Sequence, residues 1–191
     1  MLRGMCVAVA ALGVATFMCQ GAQAAVTVLG SGVAHSCYET AEFGGNPREG
    51  IETCTEALEQ AALTPHDRAA TMVNRGILYS RDDDVRSAIA DYDRGLAIFP
   101  NLAEAYIDRG AALIVLKQYD EALQDLNKGI AMGSNRAQIA YYDRGIVDEA
   151  LGDIRGAYFD YKKAAEIEPT FTMATDQLTR FKVIHKPANG T

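Results

Sequence analysis

Basic residues are scarce in this chain. Its 191 residues include 18 lysines and arginines against 25 acidic residues, so the formal net charge is −7 and the pI is near 4.9. Proteins that bind nucleic acids need clustered basic side chains to neutralise phosphates, and no such cluster occurs here. We therefore expect no nucleic-acid partner.

Histidines and catalytic motifs are also sparse. The three histidines, His35, His66 and His185, lie far apart in the sequence. The chain has no glycine-rich phosphate loop, no nucleophile elbow and no Cys–His pairing pattern. The acidic run at 82–84 lacks the spaced ligands and the closing glutamate of a calcium loop, so we interpret it as a solvated turn. The sequence predicts a protein that is not an enzyme and has no metal site and no cofactor.

Long apolar runs are absent except near the N-terminus. There, Arg3 precedes 14 uncharged residues, from Cys6 to Cys19, and the small-x-small triplet "AQA" follows at 22–24. This order is typical of a secretory signal, and the run is shorter than the ~20 residues that a bilayer requires. We expect cleavage after Ala24 and a periplasmic or secreted mature chain without a membrane span. The alternative is an uncleaved membrane anchor.

Cleavage would leave only two of the four cysteines, Cys37 and Cys54. Two cysteines in an oxidising compartment favour one disulfide. Two buried free thiols and a metal-binding pair are the alternatives, although His35, the nearest histidine, is isolated.

A short tripeptide reveals a repeat. "NRG" or "DRG" ends at Gly76, Gly110 and Gly145, which are 34 and 35 residues apart, and a period of this length indicates a repeat architecture. A further "DRG" at 93–95 is out of phase, so we interpret Gly95 as a packing residue and the tripeptide there as coincidental. Apolar residues between 69 and 168 recur at helical spacing, with turn residues interrupting them twice per period. Each period therefore predicts two amphipathic helices.

These units resemble the tetratricopeptide repeat (TPR), a helix-turn-helix unit with glycine at position 8, alanine at 20 and proline at 32. The first full unit has Gly76, Ala88 and Pro100 at these positions; the second has Gly110, Ala122 and Ser134; the third has Gly145, Ala157 and Pro169. Ser134, and Asp148 at position 11, depart from the pattern. The resemblance implies an all-α, right-handed α-α superhelix with a C-terminal capping helix.

The resemblance also sets the expected boundaries. We divide the chain into a signal peptide (1–24), a linker (25–34), a TPR domain (35–184) and a mobile tail (185–191). Within the domain we expect a partial repeat (35–66), full repeats (69–102, 103–137 and 138–171) and the capping helix (170–184).

Charged residues recur at two positions of the unit. Arginine stands at position 7, where the family commonly has leucine, and aspartate stands at position 23. In the family these positions lie on the two helices of one unit, so each arginine is expected to pair with its aspartate. The expected structural pairs are Arg75 with Asp91, Arg109 with Asp125, and Arg144 with Asp160. By the same resemblance, positions 7 and 24 of the partial repeat face each other, which favours a disulfide between Cys37 and Cys54.

The resemblance implies a function in binding a protein or peptide partner and holding it in an assembly of the cell envelope. TPR domains bind partners in a concave groove lined by their first helices. The groove residues expected here are Val73, Asn74, Ile77, Arg81, Glu104, Ile107, Ala111, Ile114, Tyr142, Ile146 and Glu149. The alternatives are an accessory domain of a periplasmic enzyme and a structural homo-oligomer.

The composition of this expected groove indicates the kind of partner. The family's clamp for a peptide's terminal carboxylate needs basic residues that are missing here, and only Asn74 fits it. Aliphatic residues dominate, so we expect an extended apolar segment or an amphipathic helix as the partner. We expect Tyr142 to be the main anchor, because tyrosine is enriched in binding hot spots.

Overall fold

The computed structural model describes residues 25–28 and 32–182. Over these residues it contains nine α-helices and no strand, which confirms the predicted all-α fold. The helices are α1 (Val33–Phe43), α2 (Pro47–Gln60), α3 (Pro65–Arg81), α4 (Val85–Ile98), α5 (Ala103–Val115), α6 (Tyr119–Ala131), α7 (Ala137–Leu151), α8 (Ile154–Ile167) and α9 (Thr172–Leu178). The predicted signal peptide and mobile tail lie outside the described residues.

The helices form four successive pairs, α1–α2 to α7–α8, and each pair packs on the next. Side-chain caps set several of the helix starts. Asn46 and Thr64 each accept a backbone N–H, and a proline follows each of them at the first helical position. Because Thr64 caps it, α3 begins at Pro65, four residues before the predicted start of the first full repeat at 69.

Small residues let the two helices of a unit approach closely. A Cβ atom added to Gly76 would lie 2.6 Å from the Tyr92 ring, and one added to Gly95 would lie 3.0 Å from the Ala69 carbonyl oxygen. The distance at Gly76 is too short for a side chain because the Tyr92 ring is fully buried, and the distance at Gly95 is shorter than most Cβ contacts in proteins. Packing between the helices therefore favours glycine at both positions.

Each position-7 arginine contacts the position-23 aspartate of its own unit through two hydrogen bonds. The shorter bond of each pair, from the arginine Nε, is 2.6 Å long. The same arginines also donate a hydrogen bond to the residue at position 25 of the preceding unit, a contact that was not predicted. The contacts from Nη1 are Arg75 to Thr55 Oγ1 at 2.9 Å, Arg109 to Asp93 Oδ1 at 2.6 Å, and Arg144 to Asn127 Oδ1 at 2.6 Å.

These arginines therefore connect three helices each and link every unit to the one before it. Asp93, in the out-of-phase "DRG", stands at position 25 and contacts Arg109, a role that differs from that of the in-phase aspartates at position 6.

Different contacts stabilise the two ends of the row of helix pairs. In the first unit, the Cys37 and Cys54 sulfur atoms are 2.12 Å apart, at bonding distance between α1 and α2. At the other end, α9 packs on α8 and buries Ala174 completely. This helix is shorter than the predicted 170–184, because the backbone N–H groups of residues 179–181 bond three residues back instead of four.

Candidate functional site

The expected groove residues divide into two groups by burial. Five of them are buried: Val73, Asn74, Ile77, Ile107 and Tyr142. The other six are half-buried: Arg81, Glu104, Ala111, Ile114, Ile146 and Glu149. The buried group cannot offer its side chains to a partner in this structure, so the expected surface is narrower than the sequence suggested.

Tyr142 is a core residue. Its side chain is 3% exposed, and its ring centroid lies 5.6 Å from that of Tyr161 on α8 and 5.4 Å from that of Phe171. The ring fills the space between α7, α8 and the start of α9. The prediction of a partner anchor at Tyr142 is therefore wrong, because the capping segment covers this position.

Residues 25–28, which we call the N-terminal segment, pack against the first full repeat. Val26 and Val28 are 7% and 3% exposed, whereas Thr27 between them is exposed. Burial of alternate residues is typical of an extended chain. Both valines join a core cluster that contains Val73 and Ile77, so this part of the predicted linker is bound to the domain.

The amide of Asn74, on α3, holds this segment by its backbone. The Val26 N–H donates to Asn74 Oδ1 at 2.7 Å, and Asn74 Nδ2 donates to the Val26 carbonyl oxygen at 2.8 Å. A side-chain amide carries both a donor and an acceptor, so it can pair with the N–H and the carbonyl of one residue, as a neighbouring strand would. Asn74 is fully buried, and this pair of bonds satisfies its polar atoms.

A cleft of about 580 Å³ lies beside the N-terminal segment. Its walls are apolar at Tyr38, Phe99 and Leu102 and polar at Asn101 and Asn135. Its volume is typical of ligand-binding clefts, and polar and apolar side chains both contribute substantially to its lining.

Charged side chains also border the cleft. Arg136 Nη2 lies 3.0 Å from Glu42 Oε1, which joins the start of α7 to α1 in the first unit. Nearby, Arg81 Nη1 donates to the Thr40 carbonyl oxygen at 3.3 Å. Burial lowers the pKa of Arg81, while the charge of Asp108 on α5 opposes this effect. The cleft therefore presents charges of both signs.

In the second and third full repeats, acidic residues occupy the position that Asn74 has in the first. Asp108 and Asp143 stand at position 6 of the second and third units, and both are buried. Burial raises the pKa of Asp143 to about 7, and its Oδ2 has no hydrogen-bond partner among the described residues. These acids are not among the predicted site residues, although the first residue of "NRG" and "DRG" marks their position at the repeat period.

Residues 25–28 and 32–182 contain neither a membrane-spanning helix nor a cluster of metal-binding side chains. No helix in these ranges has the length and apolarity to cross a membrane. Within the same ranges, no three His, Cys, Asp or Glu side chains are grouped as a metal site would require.

Curated relatives cover part of the chain. No family model matches the sequence. The chain is 32% identical over 122 residues to RNA polymerase II-associated protein 3 of Xenopus tropicalis, a match that covers 64% of this chain and 18% of that protein. It is 28% identical over 109 residues to Tetratricopeptide repeat protein 36 of Xenopus tropicalis, covering 54% of this chain and 53% of that protein. The chain thus spans about a fifth of the first relative's length.

Solved structures of repeat domains are also similar. The first TPR domain of Spaghetti (RPAP3), bound to the HSP90 peptide SRMEEVD, superposes with a TM-score of 0.55 at 28% identity, over 59% of this chain and 88% of that chain. MamA superposes with a TM-score of 0.63 over 78% of this chain and 82% of its own, at 21% identity, and this match supports the fold alone. With the paired helices and their repeat-position contacts, these similarities show that the described residues have the paired-helix fold of these repeat domains.

Proposed function

We propose that this protein is a non-enzymatic TPR module that binds a protein or peptide partner on its concave face and holds it in an assembly of the cell envelope. One observation carries the proposal: a stretch of polypeptide, residues 25–28, already lies against α3, held by the Asn74 amide beside an open cleft. The Spaghetti domain supports it, because that domain was solved with a bound peptide.

The envelope location rests on the N-terminal sequence and the cysteines. An exported chain would meet an oxidising compartment, where the neighbouring Cys37 and Cys54 sulfur atoms form a disulfide. Mass spectrometry of the non-reduced protein from the envelope fraction should find a chain that begins at Ala25 and lacks two hydrogens at this pair. A chain with an intact N-terminus and two free thiols would contradict the export proposal.

The residues at position 2 of the repeats favour an internal apolar or amphipathic segment as the partner over an acidic C-terminus. At position 2, Ala70 is buried, and the second and third repeats carry Glu104 and Ile139 there. None of these side chains can bind a carboxylate through a positive charge. We therefore expect the peptide SRMEEVD to leave the protein unsaturated at up to about 1 mM, which corresponds to ~4 kcal/mol of binding free energy. Saturation at micromolar concentration in a calorimetric titration would contradict this.

A matched pair of variants tests the cleft itself. Asn101 is an exposed cleft residue, and Gln124 is an exposed residue of α6 outside the cleft. Asn101→Arg should reduce partner capture from envelope extract at least about 10-fold, because it puts a bulky charge where the bound partner would cover the cleft. Gln124→Arg adds the same side chain outside the cleft and should capture as much partner as the wild type does. Quantitative mass spectrometry with equal amounts of folded bait measures the captured partner. Equal capture by both variants would exclude the cleft as the binding site.

Exposed apolar side chains favour a homo-oligomer as the second candidate. Val115 and Leu151, near the C-terminal ends of α5 and α7, are at least half exposed. A second copy of the chain could cover these two side chains, because exposed apolar patches mark protein interfaces. Light scattering at micromolar concentration should give more than the monomer mass if this surface self-associates, and Val115→Ser with Leu151→Ser should restore the monomer. A monomeric wild type would exclude this candidate.

A further inference from the structure

The contact between the N-terminal segment and α3 is a peptide-recognition geometry. Both hydrogen bonds to Asn74 come from the backbone of Val26, whose N–H and carbonyl are used at 2.7 and 2.8 Å. Backbone groups are the same in every residue except proline. The Asn74 amide would therefore accept any extended segment with a free N–H at this point.

The side chains of the segment add selectivity. Val26 and Val28 point into the apolar cluster of the first full repeat, while Thr27 is exposed. The two buried positions are two residues apart, which matches the period of an extended chain. The site thus fits apolar side chains at alternate positions, and β-branched residues suit it because they favour extended backbone.

We propose that the groove at Asn74 binds a partner through an extended segment of the pattern Val-x-Val, and that residues 25–28 are an internal competitor which the partner displaces. This inference rests on the proposed function, since it specifies the partner of the same concave face. The open cleft beside the segment supplies space for partner residues beyond the four that the chain itself provides.

The competition predicts that the tethered segment weakens binding. A segment joined to its own site acts at an effective concentration of the order of millimolar, so a partner binds only to the fraction of molecules in which the segment has left. The apparent dissociation constant rises as that open fraction falls. Releasing the segment should therefore strengthen partner binding without any new contact.

Two substitutions at adjacent residues distinguish release of the N-terminal segment from the effect of an added charge. Val26→Asp puts a carboxylate into the apolar cluster and should expel the segment, whereas Thr27→Asp adds the same group at an exposed position. The probe is the blocked peptide acetyl-Ala-Val-Thr-Val-amide, titrated while the nuclear magnetic resonance signals of the Asn74 side-chain amide are followed. We expect half-saturation of Val26→Asp at about one tenth of the peptide concentration that the wild type and Thr27→Asp require.

A second peptide tests the hydrogen bond. N-methylation of the first valine removes the N–H that would reach Asn74 Oδ1 and keeps both valine side chains. The methylated peptide should bind Val26→Asp at least about 5-fold more weakly. Equal binding of the two peptides, or equal half-saturation of Val26→Asp and Thr27→Asp with matching helical circular dichroism, would overturn the inference.

The wild type provides a readout that does not depend on the folding of a variant. Hydrogen exchange at the Val26 amide should accelerate at least about 10-fold when the unmethylated peptide is added at saturating concentration. Unchanged exchange at saturation would also overturn the competition.

Partner capture distinguishes this inference from the proposed function. Capture of one partner to the same extent by the wild type, Val26→Asp and Thr27→Asp would overturn the competition and leave the proposed function standing. Capture of no partner by any of these folded proteins would defeat the proposed function itself.

Discussion

The first and third full repeats, α3–α4 and α7–α8, follow the same pattern of positions but have different surroundings. At position 6, the Asn74 amide binds the backbone of the N-terminal segment, whereas Asp143 is a buried carboxyl group with an unbonded oxygen among the described residues. At position 23, Asp91 contacts both Arg75 and Arg94, whereas Asp160 contacts Arg144. The comparison teaches that the repeat fixes where a side chain lies, and that neighbouring residues determine what it does there.

The largest expected effect is at the position-7 arginine. Arg144→Leu should reduce the free energy of unfolding by ~4 kcal/mol, because it leaves the Asp160 carboxylate buried without its guanidinium partner. Arg75→Leu should reduce it by only about half as much, since Arg94 Nη1 still lies 3.0 Å from Asp91. Urea unfolding of both variants at pH 7 measures the difference. Equal losses of unfolding free energy would mean that Arg94, which is largely exposed, does not replace Arg75 as the charged partner of Asp91.

Replacing Asn74 at position 6 of the first repeat with aspartate, the residue that the third repeat has there, should reduce the free energy of unfolding by a smaller amount. Asn74→Asp places a carboxylate in a fully buried site and removes the donor to the Val26 carbonyl. We expect a loss of ~3 kcal/mol at pH 8 and much less at pH 4, where a protonated carboxyl group again offers a donor and an acceptor. Thermal unfolding at both pH values tests this, with Asn101→Asp, the same change at an exposed position, as the control. A loss that does not depend on pH would contradict the proposed cause.

The reciprocal change, Asp143→Asn, should stabilise the protein at neutral pH. The pKa of Asp143 is raised by burial from 3.8 to about 7. Below about pH 4 the carboxyl group is protonated in the folded and unfolded states and has no effect. Between pH 4 and 7 the unfolded state loses its proton first, so the stability of the wild type falls as the pH rises, and above pH 7 the loss is complete.

We therefore expect Asp143→Asn to gain ~2 kcal/mol at pH 8, below the ~4 kcal/mol that a shift of this size would give, because the new amide must also be satisfied. Unfolding curves from pH 4 to 8 should diverge from those of the wild type as the pH rises. Asp176→Asn, an exposed change on α9, should follow the wild type. A constant difference across this range would show that the Asp143 carboxyl is not the titrating group.

The tripeptide that revealed the repeat combines three separate roles. In "NRG" at Asn74, Arg75 and Gly76, the first residue binds the N-terminal segment, the second links three helices and the third allows the Tyr92 ring to approach. The roles of the arginine and the glycine within a unit could be predicted, because both contacts recur at fixed spacing. The role of the asparagine could not, since its partner lies 48 residues away in a segment outside the repeats.

The sequence by itself determined the helices, their phase and the pairing of each arginine with its own aspartate. These features depend on hydrophobic period, turn residues and contacts within one unit, all of which recur every 34 or 35 residues. Only the tertiary structure decided that Tyr142 is buried, that Asp93 bonds to Arg109 and that Val26 occupies the site at Asn74. The physical reason is that burial and hydrogen bonding at these positions depend on neighbouring units and end segments, whose placement no repeat period encodes.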